Sequence, residues 1–142
     1  DATADTIEED GFLHTGDVGY IDEDGYIYLV DRIKDLILCS GFNVYPRVIE
    51  EAIYLHEAVE ETIVIGIPDA YRGQTPKAFV KLKEGTSLSE EDLAEFLKGH
   101  LSTIELPRAF EFRDELPKTM VGKLSKKELV EEEAKKQAEL AE

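Results

Sequence analysis

The sequence predicts an α+β fold: a small three-stranded sheet with flanking helices, preceded by β-hairpins. Three observations carry this. The runs ETIVIGI, KAFVKLK and AFEFRDEL have the length and apolar pattern of strands. Three further segments, opening at Pro46, Ser89 and Ser125, place apolar residues at helical spacing behind recognisable start signals. Upstream of these, apolar runs are interrupted at Asp24-Gly25 and at Ser40-Gly41, as tight hairpins require.

The opening DATADTIEEDGF lacks an initiating methionine and runs directly into patterned sequence, so a piece of a longer polypeptide is expected. VGYIDEDGYIYLV then reads as a hairpin, because Gly25 adopts a positive φ at the turn without steric cost. DRIKDLILCSGFNVYP predicts a second, smaller hairpin. Pro46 suits the first position of a helix, where its missing N–H costs nothing, and Val48, Ile49, Ala52, Ile53 and Leu55 continue the pattern to about His56. ETIVIGI is a β-branched strand. In KAFVKLK, Ala78, Val80 and Leu82 share one face, and Phe79, Lys81 and Lys83 the other.

The next helix is expected to be capped by Ser89, with Asp92 three residues on, Leu88 stapled to Leu93, and Leu93, Phe96, Leu97 and Leu101 buried. AFEFRDEL puts Phe110 and Phe112 on one face. The last helix is predicted to repeat the device, with Ser125 capping, Glu128 closing the box and Leu124 meeting Leu129. Its end carries little apolar stripe beyond Ala134 and Ala138, so fraying is expected there. The organisation is then residues 1–32 as terminal strands and hinge approach, 33–130 as the main unit, and 131–142 as an acidic helical tail.

Composition narrows the function. With 42% hydrophobic residues the 142-residue chain can build a core. A net charge of −16 argues against a nucleic-acid binder, which needs a basic face. Cys39 is alone, so no intramolecular disulfide or cysteine metal cluster forms, and His14, His56 and His100 lack ligand spacing; no metal site is expected. No run is long enough to span a membrane and no signal-peptide pattern opens the chain, which makes the cytoplasm the expected compartment.

Four places could carry chemistry. Asp17, in Thr15-Gly16-Asp17, could accept hydrogen bonds from a vicinal diol, or could simply belong to a strand-entry turn. Arg32, in DRIKD, could clamp a phosphate or ribose oxygen, or balance charge at a hairpin edge. Gly41 could allow close approach of a ligand, or serve an ordinary turn. Lys123, after Gly122, could offer an ammonium to an oxyanion or phosphate, or sit on a solvated loop. The Gly-Lys pair is not a Walker A loop, since Leu124 stands where Ser or Thr is needed.

The order of these elements carries more than any one of them. TGD, VDRIKDLI, SGFNVYP followed by a helix, GIPD, PKAFV and LPKTMVGKLSKKEL together resemble the adenylate-forming superfamily of acyl- and aryl-CoA ligases, luciferases and peptide-synthetase adenylation domains. The resemblance runs from Asp10 to Leu129 and is nearest to a fatty-acyl-CoA or related acid–CoA ligase. It implies a small C-terminal lid plus the last strands of a large N-terminal domain of the same polypeptide. That large domain would hold most of the ATP site, the acid pocket and the Mg²⁺ ligands.

The resemblance further implies roles for individual residues. Asp17 would hold the ribose hydroxyls of ATP and acyl-AMP, with Arg32 beside it on the nucleotide. Lys34 would lie at the hinge between half-reactions. Gly41 would approach the pantetheine arm of CoA during thioester formation. Lys123 would enter the site for adenylation, with Gly122 leaving room for the loop. Two positions depart from the family pattern: Val48 replaces a common acidic residue that would cap the helix, and Gln74 replaces a frequent glutamate.

Two other readings stand beside this one, a non-catalytic binding module of the same fold and an adenylation domain that delivers to a carrier protein. The fragment alone is expected to lack ligase activity. Its unpaired terminal strands are expected to promote self-association.

Overall fold

The computed structural model describes residues 2–141. Its first element is a helix too short for sequence to signal, α1 (Ala2–Thr6). An antiparallel hairpin follows, β1 (Asp17–Ile21) and β2 (Ile27–Arg32), with a bulge between Val18 and Gly19. The Asp22 carboxylate accepts the N–H groups of Asp24 and Tyr26, and Gly25 has φ of +87°, so the turn is fixed by local chemistry. A single 3₁₀ turn, Ile33–Asp35, leads into the main body.

That body contains β3 (Ile37–Cys39), β4 (Phe42–Val44), α2 (Pro46–Tyr54), β5 (Val59–Asp69), β6 (Gly73–Leu82), α3 (Glu90–Lys98), β7 (Ala109–Phe112) and α4 (Lys126–Leu140). Its sheet has five strands rather than the three expected. The order is β4-β3-β6-β5, and β7 pairs with β6 in parallel. The small hairpin joins because Cys39 pairs with Gly73, the Ser40 N–H donates to the Arg72 carbonyl at 2.8 Å, and the Leu38 N–H donates to the Gln74 side chain at 2.9 Å. Gln74, which stands where the family pattern has a frequent glutamate, supplies an acceptor that extends a one-residue ladder.

Strand alternation in β5 and β6 divides the interior into two layers. On one face Val64, Ala78 and Val80 pack with Ile49 and Ile53 of α2 and Leu93 and Leu97 of α3. On the other, Ile63, Ile65 and Phe79 pack with Leu116 and with Leu129 of α4. Both layers follow from the two-residue period of the strands.

The two serine caps turn out differently. Ser89 accepts the Asp92 N–H at 3.1 Å, as its motif predicts. Ser125 occupies the N-cap position of α4 but its side chain makes no capping bond. Its N–H donates to the Pro117 carbonyl at 2.9 Å, so it completes a ladder with the preceding segment. Nor does α4 end where its apolar stripe does. It continues to Leu140, tied to the sheet by ions: Lys77 to Glu133 at 2.7 Å, Arg113 to Glu132 at 2.7 Å, and Lys136 to Glu111 at 3.3 Å.

Candidate functional site

Asp17 opens β1 and its Cα pairs across the ladder with that of Arg32, the last residue of β2. The register therefore sets a carboxylate beside a guanidinium, with Arg32 Nε 3.3 Å from Asp17 Oδ1. The arginine also donates from Nη2 to the Thr15 carbonyl at 3.4 Å. Thr15 Oγ1 accepts the Asp17 N–H, and Gly16 has φ of +76°, so TGD is a turn that delivers its carboxylate onto the first residue of a strand.

Lys34 lies in the 3₁₀ turn, exposed, between the hairpin and the body. Few bonds cross this junction. The Ile33 N–H donates to the Gly16 carbonyl at 2.8 Å, and the Arg47 N–H, at the start of α2, donates to Asp31 Oδ2 at 2.9 Å.

Lys123 sits on a two-stranded finger between β7 and α4. The Thr119 N–H donates to the Lys123 carbonyl at 2.6 Å, the Gly122 N–H to the Thr119 carbonyl at 2.9 Å, and Lys118 bridges Leu124. Gly122, with φ of +81°, is the left-handed residue that closes a three-residue loop of this kind. A Cβ placed on it would meet no atom within 4 Å. Within this chain the glycine thus serves backbone conformation rather than clearance from a neighbour. Lys123 is exposed and makes no ion pair among the described residues.

An open groove runs from the 3₁₀ turn to the base of this finger, lined by Arg32, Lys34, Thr119, Leu124, Ser125 and Lys127. The fold thus brings Arg32 and Lys34, with Asp17 behind them, alongside the segment that carries Lys123. Gly41 is not part of that groove. It lies at the tip of the β3–β4 hairpin with φ of +81°, next to Ser40 at +53°. A methyl group added at Gly41 would again meet no atom within 4 Å, so its φ is what requires glycine.

A separate cavity adjoins this tip, lined by Ser40, Arg72, Thr75, Thr103 and Arg108 among others. The Thr75 hydroxyl is buried and has no hydrogen-bond partner among the described residues. Two guanidinium side chains and an unused hydroxyl suit an anionic group. Asp69 accepts the N–H groups of Arg72, at 2.7 Å, and Tyr71, at 2.9 Å, which fixes the turn bearing Arg72 and holds the Asp69 carboxyl below its ordinary pKa. Arg72 and Arg108 carry no motif of their own, and only the fold joins two positions so far apart in sequence.

Among the described residues no group of three or more His, Cys, Asp or Glu side chains is placed to hold a metal ion. No helix there is long and apolar enough to cross a membrane.

Residues 48–123 match the family described as AMP-binding enzyme C-terminal domain. A long-chain-fatty-acid–CoA ligase of Bacillus subtilis is 52% identical over 127 residues, which is 89% of this chain but 23% of that protein. The crystal structure of ATP-bound MatB from Rhodopseudomonas palustris superposes with a TM-score of 0.85 at 38% identity, over 92% of this chain and 26% of that one. The ligand-free form of the same protein gives 0.72 over the same share. The o-succinylbenzoate CoA synthetase of Bacillus subtilis, in complex with its acyl-adenylate intermediate, gives 0.82 at 34% identity, over 88% and 25% of the two chains. The chain spans about a quarter of the length of the proteins it matches.

Proposed function

The chain belongs to the AMP-binding enzyme C-terminal domain family, and from that premise we propose that it is the mobile lid of an AMP-forming acid–CoA ligase. The full enzyme activates a carboxylic acid, best matched by a fatty acid, with ATP to give acyl-AMP and pyrophosphate. It then transfers the acyl group from acyl-AMP to the thiol of CoA, releasing AMP. The observation that carries this reading is the finger: an ammonium without an ion pair, held out on a stiff loop by a chain whose net charge is −16.

When a carboxylate approaches the α-phosphate of ATP, two anions meet, and charge builds on the bridging and leaving oxygens. An ammonium positioned there stabilises the transition state more than the ground state, which is what accelerates the step. Lys123 supplies it. Asp17 accepts hydrogen bonds from the ribose hydroxyls, and Arg32, which already contacts one Asp17 oxygen, orients that carboxylate and faces the nucleotide.

The second half-reaction uses another face. Turning at Lys34 withdraws the finger and brings Gly41 towards the pantetheine arm, while the cavity with Arg72 and Arg108 offers a place for a phosphate of CoA. The few bonds across the junction make such a turn inexpensive. The better superposition on an ATP-bound relative than on its ligand-free form supports assigning the present arrangement to the adenylating state. Mg²⁺ would be held by the remainder of the enzyme, and no residue of this chain is proposed as its ligand. Taken alone, the chain is proposed to be inactive.

Lys123→Ala in the full-length enzyme tests the assignment. Acyl-adenylate formation, followed by ATP–pyrophosphate exchange, should fall by about 10²–10³. Thioester formation from supplied acyl-AMP and CoA should persist. Equal loss of both half-reactions contradicts the role given to Lys123.

A further inference from the structure

We propose that Glu61 is a positioning residue for Lys123, acting through Lys118; this rests on the adenylation role given to Lys123 above. The finger has two arms, residues 117–119 and 123–125, joined by bonds from Ser125 N–H to the Pro117 carbonyl and from Thr119 N–H to the Lys123 carbonyl. Lys118 stands opposite Leu124 in this ladder. Alternation therefore puts Lys118 and Leu124 on one side of the finger and Thr119 and Lys123 on the other.

The first side faces the sheet. Leu124 packs against the layer of Ile63, Ile65, Phe79 and Leu129. Lys118 Nζ lies 2.8 Å from Glu61 Oε1. Lys123 is consequently presented away from the sheet, towards solvent in this chain. The apolar contact of Leu124 is non-directional and tolerates rotation of the finger. The ion pair of Lys118 with Glu61 adds a second, off-axis tie between the finger and β5, and two ties at separate points restrict the rotation that one would allow. Glu61 can act as a fixed point because β5 is paired with β6 along nearly its whole length.

The other oxygen of Glu61 points to the same conclusion. Oε2 is buried and has no hydrogen-bond partner among the described residues. A half-satisfied carboxylate is a costly way to hold a strand against a core, where an apolar side chain would do better. Its presence is accounted for if the carboxylate orients a loop.

The test uses the full-length ligase with Glu61→Gln, Lys118→Gln, and the exchanged pair Glu61→Lys with Lys118→Glu. ATP–pyrophosphate exchange, thioester formation from supplied acyl-AMP, and melting temperature are measured for each. Both single variants should slow adenylation at least about tenfold through a lower kcat, with thioester formation changed by no more than about twofold. The exchanged pair should recover most of the lost adenylation rate. Equal slowing of both half-reactions, an unchanged adenylation rate, or failure of the exchanged pair to recover at a matched melting temperature would overturn the proposal.

Lys123→Ala run alongside separates the two claims. If it leaves adenylation intact, the reading of Lys123 falls and this inference with it. If it is selective while Glu61→Gln is silent, only the inference about Glu61 falls.

Discussion

Ser40 and Gly41 both have positive φ, +53° and +81°, which is the backbone of a two-residue turn between Cys39 and Phe42. Right-twisting strands favour this turn, but it suits Asn-Gly better than Ser-Gly, because serine gains little from the left-handed region. Ser40 is the one non-glycine residue with positive φ among the described residues, so it stores strain beside the loop proposed to meet CoA. Ser40→Asn should therefore stabilise the fold by about 1 kcal/mol, the order of the left-handed penalty it relieves. A urea unfolding midpoint that stays the same or falls would show that the serine is not strained. The glycines are readable as turn formers from sequence, whereas the strain at Ser40 is not, since it depends on a loop length that only strand register fixes. Asp17 and Arg32 show the same division. Each is a plausible ligand by type, yet their mutual contact comes from a bulged β1–β2 register that the sequence does not announce.

Helix α4 illustrates what local pattern leaves out. Its composition beyond Leu129 suggests fraying, but Glu132, Glu133 and Lys136 meet Lys77, Glu111 and Arg113 on and beside β6 and β7. Glu133 and Lys77 are both largely buried, and Arg113 and Lys77 also lie over the Phe79 ring at 5.0 and 4.9 Å. The guanidinium of Arg113 donating to Glu132 holds that carboxyl below its ordinary pKa, against a smaller opposing effect of burial. Burial pushes Glu133 the other way, but the ammonium groups of Lys77 and Lys136 outweigh it and its pKa is also lowered. Carboxyls with lowered folded values stabilise the docked helix above the ordinary glutamate pKa, about 4.3, and lose that contribution as pH falls through the folded values. We expect amide protection along α4 to be constant above about pH 5 and to fall below about pH 4, ahead of α2 and α3. Simultaneous loss in all three helices would mean that the ion network does not hold α4. The elements readable in advance are those fixed by neighbours in sequence, such as the alternation in β6 and the Ser89 cap. The Ser125 N–H, which Glu128 would accept in a closed capping box, goes instead to the carbonyl of Pro117, eight residues earlier, and β3 enters the sheet through a bond to Gln74 that spans 36 residues, beyond the reach of any local pattern.

The chain exposes 9769 Å², whereas a compact monomer of 16.0 kDa exposes about 7,400 Å², an excess of roughly 2,400 Å². A standard protein interface covers about 800 Å² on each partner, so this surplus is surface suited to burial rather than ordinary roughness. Much of the apolar share lies on β1–β2 and the segment before it: Phe12, Tyr20, Ile21, Tyr26, Ile27 and Leu29 are each more than half exposed. The hairpin forms a sheet of two strands only, so each strand has an unpaired edge that can template another. In the proposed ligase the preceding part of the polypeptide covers this surface, which agrees with the chain spanning about a quarter of its relatives. Without that cover, the hairpins of two copies are the nearest substitutes, and only charge opposes them. At −16 the copies repel, and salt screens that repulsion while leaving apolar association intact. The isolated chain should therefore associate more strongly at high salt than at low, and Ile27→Lys with Leu29→Lys should suppress the association. Sedimentation velocity across a concentration series reads this directly. A single monomer boundary at high protein and high salt would mean that the hairpin surface is not adhesive, and that the excess area arises from shape alone.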